Sequence, residues 1–283
     1  MRLLIFLLLV DIILLIITGV MVILNHFSRK SRTDKCSTPE KPDLIITSSE
    51  TLEVVSSCIE SFLHSYVDKI IVALDHPSYS LVKGLSLRFG NRINIVINKE
   101  KRGKIYTQSV GIKSSTNEYI LLVDADIKLL GDIKDMCMFM HTKALDFACP
   151  YSVGEEKGFW PHISDVDRMM RQRIIRTARD FAGLSNLTGY FLLCKRTSYL
   201  NVIDPEAIQD DVVSTIKLQK LHLKVGTYGK VMCSEIERPN FKGLLFQKVR
   251  WTAGNLSLLP DYLKLVDIGI LKATFFFCSF LLW

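Results

Sequence analysis

Tyr119-Ile120-Leu121-Leu122-Val123-Asp124-Ala125-Asp126 is the stretch on which the fold turns. An unbroken apolar run that ends on two carboxylates one residue apart reads as a strand buried on both faces, finishing at solvent or at a cation. Working outward toward the N-terminus, the same shape recurs. Leu44-Ile45-Ile46 precedes a helical pattern from Leu52 to Tyr66, and Ile70-Ile71-Val72-Ala73-Leu74 precedes another from Leu81 to Phe89. Ile93-Asn94-Ile95-Val96-Ile97 precedes a polar segment and a helix through Ser109 to Ile112. Short strands that each lead into a helix imply an α/β domain, a mostly parallel sheet with flanking crossover helices. In such open sheets the ligand lies beyond the carboxyl ends of the strands. The residues to inspect are therefore Thr47 to Glu50, Asp75-His76 and Asp124 to Asp126.

The whole chain has 283 residues, 48% of them hydrophobic and 23% charged, which excludes disordered and collagen-like classes. Its formal charge of +7 points to phosphate-bearing ligands or an anionic membrane face. The 7 cysteines are odd in number, widely spaced and without a C-x-x-C pair, so a reducing compartment is the simpler reading. Leu3 to Leu24 is nearly all apolar and long enough to cross a bilayer as a helix. Arg29, Lys30, Arg32 and Lys35 follow it, against Arg2 alone before it, and the positive-inside rule then places the remainder in the cytoplasm. The expected organisation is a transmembrane anchor over 1–25, a basic linker over 26–41 and a cytoplasmic domain over 42–260. Residues 261–283 turn apolar again and are expected to form an interfacial or second transmembrane, membrane-associated helix.

Paired carboxylates on a rigid strand end suit Mg²⁺ or Mn²⁺, hard ions that take one or two protein oxygens and complete their shells with phosphates and water. Asp165-Val166-Asp167 and Glu235-Ile236-Glu237 repeat the acid-x-acid pattern with no evident chemistry beside them and are read as background. Asp210-Asp211 opens an amphipathic stretch from Val212 to Leu223. Acids in a first helical turn suit the macrodipole, and one of them is equally a candidate general base. Gln247-Lys248-Val249-Arg250-Trp251 reads either as an interfacial anchor or as a site where Arg250 forks onto phosphate oxygens while Trp251 faces a sugar ring. Arg168, Arg171, Arg173, Arg176 and Arg179, interleaved with Met169, Met170, Ile174 and Ile175, are expected to dock on a membrane surface or to form a solvated face, rather than to bind nucleic acid.

In order along the chain, Asp124-Ala125-Asp126, the acidic pair and Gln247-x-x-Arg250-Trp251 resemble the membrane-bound family 2 glycosyltransferases, the group of hyaluronan, chitin, cellulose and poly-N-acetylglucosamine synthases. Asp211 and Gln247 are separated by residues 212–246, the interval that family places between its third aspartate and that glutamine. Asp75, Gly103-Lys104 and the glycine of Leu187-Thr188-Gly189-Tyr190 agree with the family pattern as well, and the resemblance covers residues 42–260. It departs at Thr47-Ser48-Ser49-Glu50, where the family has Pro-x-x-Asn-Glu, and at Asp210-Asp211, where the family has Glu-Asp.

The resemblance implies a Rossmann-like, glycosyltransferase A-type fold and inverting transfer of a sugar from a UDP-sugar to a glycan acceptor. It implies that Asp211 takes the proton of the acceptor hydroxyl and that Asp126 binds the metal ion. Glu50, Asp75, Lys104, Asp124 and Arg250 would hold the donor, and Gly189, Gln247 and Trp251 the acceptor. The partners it implies are a UDP-sugar, a glycan or lipid-linked acceptor and membrane lipids, with a homo-oligomer left open and no nucleic acid. Two other readings stand beside it: a ceramide-type glucosyltransferase with a lipid acceptor, and an inactive membrane scaffold that keeps the fold.

Overall fold

The computed structural model describes residues 38–155, 157–176, 180, 186–204, 210–236 and 240–257. The expected anchor over 1–25, most of the linker and the segment over 261–283 lie outside these residues. Among the described residues no helix is long and apolar enough to cross a membrane.

The apolar runs form β1 (Asp43–Ser48), β2 (Ile70–Asp75), β3 (Asn94–Asn98) and β4 (Tyr119–Asp124). β1 pairs in parallel with both β2 and β4, and β2 with β3. The crossovers are α1 (Leu52–Phe62), α2 (Tyr79–Phe89) and α3 (Lys104–Ser114). Beyond β4 come β5 (Ile127–Leu129), α4 (Ile133–Thr142), β6 (Phe147–Gly154) and α5 (Phe159–Met170). A π-helical turn, Arg171–Ile175, extends α5. Then follow β7 (Phe191–Lys195), α6 (Arg196–Val202), α7 (Asp210–Lys220), β8 (Val225–Glu235) and α8 (Phe241–Ser257). The sheet order is β3-β2-β1-β4-β7-β6-β8-β5. β7 runs against β4 and β6, and β5 runs against β8, so every strand but those two shares one direction. The mostly parallel sheet is found, with an irregular second half that no hydrophobic period announced.

The continuous apolar runs are explained by helices on both faces. Successive side chains of a strand point to opposite sides, and here each side has its own core. Leu44, Ile46, Val72, Leu74, Leu121 and Val123 pack with Val55, Ile59 and Phe62 of α1, Leu85 of α2 and Met136 of α4. Ile45, Ile71, Ile120 and Leu122 face the other way, onto Ile112 of α3, Tyr199 of α6 and Leu218 of α7. Gly111 lets α3 settle on the sheet: a Cβ there would lie 2.9 Å from Ile45 Cγ2 and 3.0 Å from the Ala73 Cβ.

Two expectations need correction. The first helix stops at Phe62 rather than reaching Tyr66. Ser65 Oγ donates to the Phe62 carbonyl at 2.8 Å, a local bond that competes with helix propagation. The arginine-rich stretch is a solvated face only in part, with Arg173 exposed. Arg168 and Arg176 are 8% and 6% exposed, with Gln172 at 6% between them. One helical face thus carries its charges and amide inward, against β6 and β8, where acids and carbonyls receive them. Arg179 lies outside the described residues.

Candidate active site at the carboxyl edge of the sheet

Because β1, β2 and β4 are parallel and in register, their last residues share one rim. Thr47 stands beside Asp124 across the β1–β4 ladder, and Asp75 stands beside Asn98 across the β2–β3 ladder. Asp75 is buried and already engaged. Its Oδ1 accepts from Asn98 Nδ2 at 3.1 Å and from the Arg102 backbone N–H at 3.2 Å, and its Oδ2 accepts from the Gly103 N–H at 3.0 Å. That carboxylate ties down the turn ahead of α3. Gly103 has φ +87°, a left-handed conformation a side chain would resist. The turn delivers Lys104 to the rim. Lys104 Nζ donates to Asp124 Oδ2 at 3.0 Å and to the Gly189 carbonyl at 2.7 Å. The Asp124 backbone N–H donates in turn to the Tyr190 carbonyl at 3.0 Å. Residues from β4, α3 and the segment before β7, far apart in sequence, thus close on one point.

Asp126 sits in the tight turn between β4 and β5. Burial, and after it the negative field of Glu235, push its carboxyl above the ordinary value, while its own backbone N–H and Lys104 pull the other way. Glu50, exposed just past β1, adds a smaller negative contribution there. Its backbone N–H donates to Ser48 Oγ at 2.8 Å. Asp124, Asp126 and Glu235 supply only carboxylate oxygen, the donor set that suits Mg²⁺ or Mn²⁺. Among the described residues no three His, Cys, Asp or Glu side chains are grouped to hold an ion by themselves.

Glu235 is the residue that sequence reading missed. It ends β8, where Ile127 of β5 pairs with it and the Ile236 N–H donates to the Asp126 carbonyl at 3.3 Å. Ser152 Oγ hydrogen-bonds its Oε1, and Arg168 Nε lies 3.8 Å from that same oxygen. Gln172 Nε2 continues the chain of contacts to Ser152 Oγ at 2.8 Å and to the Tyr190 hydroxyl at 3.0 Å. The acid-x-acid pattern was itself the available signal. It was discounted because nothing local distinguishes a strand that ends at the rim from one that ends elsewhere.

The C-terminal site residues are placed by helices. Gln247, Arg250 and Trp251 all lie on α8, with Gln247 and Trp251 half-buried and Arg250 exposed. The Arg171 guanidinium and the Lys248 ammonium each lie 5.0 Å from the centre of the Trp251 ring. Asp167 joins them, pairing with Arg171 at 2.8 Å and with Lys248. α8 is thereby seated on α5, and α5 on Glu235. Among the described residues Arg250 makes no hydrogen bond or ion pair with the Asp124–Lys104 group. Asp211 occupies the first turn of α7, and its side chain lies outside what is described.

A family model described as "Glycosyl transferase family 2" matches residues 44–202. A poly-beta-1,6-N-acetyl-D-glucosamine synthase of Staphylococcus aureus is 24% identical over 253 residues, covering 83% of this chain and 61% of the relative. The Staphylococcus epidermidis synthase of the same name is 22% identical over 225 residues, covering 75% and 53%. The chain therefore spans 61% and 53% of the length of these curated relatives. Among solved structures, a mannosyltransferase from Pyrobaculum calidifontis, in complex with GDP-Man and Mn²⁺, superposes with a TM-score of 0.64 at 13% identity, covering 95% of this chain and 79% of that one. That likeness shows a shared fold.

Proposed function

The chain belongs to glycosyl transferase family 2, and from that premise we propose that it transfers a sugar, with inversion, from a UDP-sugar to a growing glycan, in the manner of a polysaccharide synthase. The observation that carries the reading is the meeting of Lys104, Asp124 and Gly189 at the carboxyl edge of the sheet. Lys104 brings positive charge to the place where a donor diphosphate would lie, and Asp75 holds it there through the Gly103 turn. Asp124 would face the nucleotide. Asp126, with Glu235 beside it, would seat Mg²⁺ or Mn²⁺, which when bound supplies charge to the departing diphosphate. The exposed Arg250 guanidinium would reach the same phosphates. Gln247 and Trp251 would border the acceptor, and Asp211, at the start of α7, would take the proton from the attacking hydroxyl.

The reading is tested with purified Asp211→Asn. UDP affinity should stay near that of the parent while transfer falls about 10²–10⁴-fold, the usual worth of a positioned base. Turnover at the parent rate would remove Asp211 from the mechanism.

A membrane setting, with the catalytic domain on the cytoplasmic side, belongs to the same proposal. Phe159, Ile163, Val166 and Met170 form an exposed stripe along α5, and Phe241, Leu245 and Val249 form one along α8. The two helices touch, with the Trp160 and Phe241 ring centres 4.9 Å apart. Past Ser257 the sequence leads into residues 261–283, which turn apolar again. Paired apolar stripes flanked by the exposed Lys242 and Arg250 suit an anionic bilayer surface.

A further inference from the structure

Deepening the nucleotide-sugar reading and resting on it, we propose that Glu235 is a positioning residue of the cation seat, a second carboxylate that sets Asp126 for a divalent ion and couples that seat to the arginine-bearing face of α5.

Four observations place it there. The β5–β8 ladder sets Ile127 opposite Glu235, and the bond from Ile236 N–H to the Asp126 carbonyl fastens the Asp126 turn to the end of β8. Glu235 cannot drift from that rim, because its backbone carbonyl also accepts from the Glu155 N–H at 3.0 Å. Its two side-chain contacts, from Ser152 Oγ and Arg168 Nε, both fall on Oε1. Oε2 has no hydrogen-bond donor among the described residues. Finally, Arg168 is buried and shared, with its Nη1 3.7 Å from Asp165 Oδ1. The guanidinium therefore steadies the Glu235 carboxylate from the α5 side.

The Glu235 carboxylate is close enough for its negative field to act on Asp126, and a divalent ion seated at that turn would relieve the repulsion between them. Arg168 limits it by steadying Glu235 from behind. The arrangement resembles the outer carboxylates that orient metal ligands, whose loss typically weakens metal affinity about 10–100-fold. It also gives a physical use to the inward turn of the arginine face, for which a solvated helix has no need.

The test is a Mn²⁺ titration followed by electron paramagnetic resonance, with UDP present, on the full chain and on Glu235→Gln, Glu235→Asp and Ser152→Ala. Glu235→Gln keeps the shape and should bind Mn²⁺ about 10–100-fold more weakly, with its metal-free UDP affinity unchanged and its melting temperature lowered, because the buried Arg168 loses its charged partner. Glu235→Asp should retain most of the affinity. Ser152→Ala loses the hydrogen bond but not the charge and should bind Mn²⁺ as the parent does. Parent-like Mn²⁺ binding by Glu235→Gln would overturn the assignment, and so would an equal loss in Ser152→Ala, which would make the role one of packing. A parent that binds no Mn²⁺ alongside UDP would overturn the metal-assisted donor reading itself, an outcome distinct from either.

Discussion

The rim at β1, β2 and β4 and the layer of α5 and α8 are built on different principles. At the rim, position comes from backbone. Parallel ladders fix Asp75 and Asp124, backbone N–H groups fix the Asp75 carboxylate, and a left-handed glycine aims Lys104. Beneath it lie side chains with no exposure at all, such as Leu44 and Ile45. In the helical layer, position comes from charge. Asp167 is shared by Arg171 and Lys248, Trp251 lies under both cations, and the outer faces of the two helices stay apolar and exposed. Burial, and after it the neighbouring Arg171, hold Lys248 below its usual range, so the ion pairs in this layer are partly desolvated and only partly compensated. A rim of the first kind is preorganised for a ligand of fixed shape, such as a diphosphate. A layer of the second kind owes its position to side-chain charge, and under the proposed function it would border the acceptor.

The difference can be broken in three places, in decreasing order of effect. Lys104→Met removes the rim's cation without touching the core. Transfer should fall about 10²–10³-fold, as for loss of one preorganised electrostatic group, with the denaturation midpoint unmoved. A variant that lost stability rather than activity would show Lys104 to be part of the scaffold. Gly111→Val forces α3 away from Ile45 and Ala73. Such overpacking costs about 1–3 kcal/mol, measured by urea unfolding, and it should lower activity through the displaced Lys104. In the helical layer, a double-mutant cycle on Asp167→Asn and Lys248→Met should return a coupling of about 0.2–1 kcal/mol, fading at high salt. A coupling several times larger and insensitive to salt would mean that this layer is as rigid as the rim.

How much of this was legible in the sequence differs by region for the same reason. The strands β1 to β4 and their trailing helices were readable because a doubly covered strand must be apolar throughout, and a carboxylate directly after one has few reasons to be there. Asp124 and Lys104 were both singled out, yet nothing in their spacing said they would touch. The antiparallel insertion of β7 between β4 and β6 carries no period of its own, since its burial pattern matches that of its parallel neighbours. Arg168 and Arg176 looked like a solvated face because a basic helix shows the same letters whether its partners are water or buried carboxylates. Asp75 was expected to hold the donor, and its oxygens are found holding the Gly103 turn.

By itself the sequence determined the class of fold, the direction of its first four strands and the rim on which the chemistry falls, because burial on two faces writes itself into consecutive residues. Only the tertiary structure decided that Glu235 stands with Asp126 and that Arg168 and Arg176 turn inward. Those pairings join residues from distant strands and helices, and a charge carries no mark, in its own neighbourhood of the chain, of the partner that folding will bring to it.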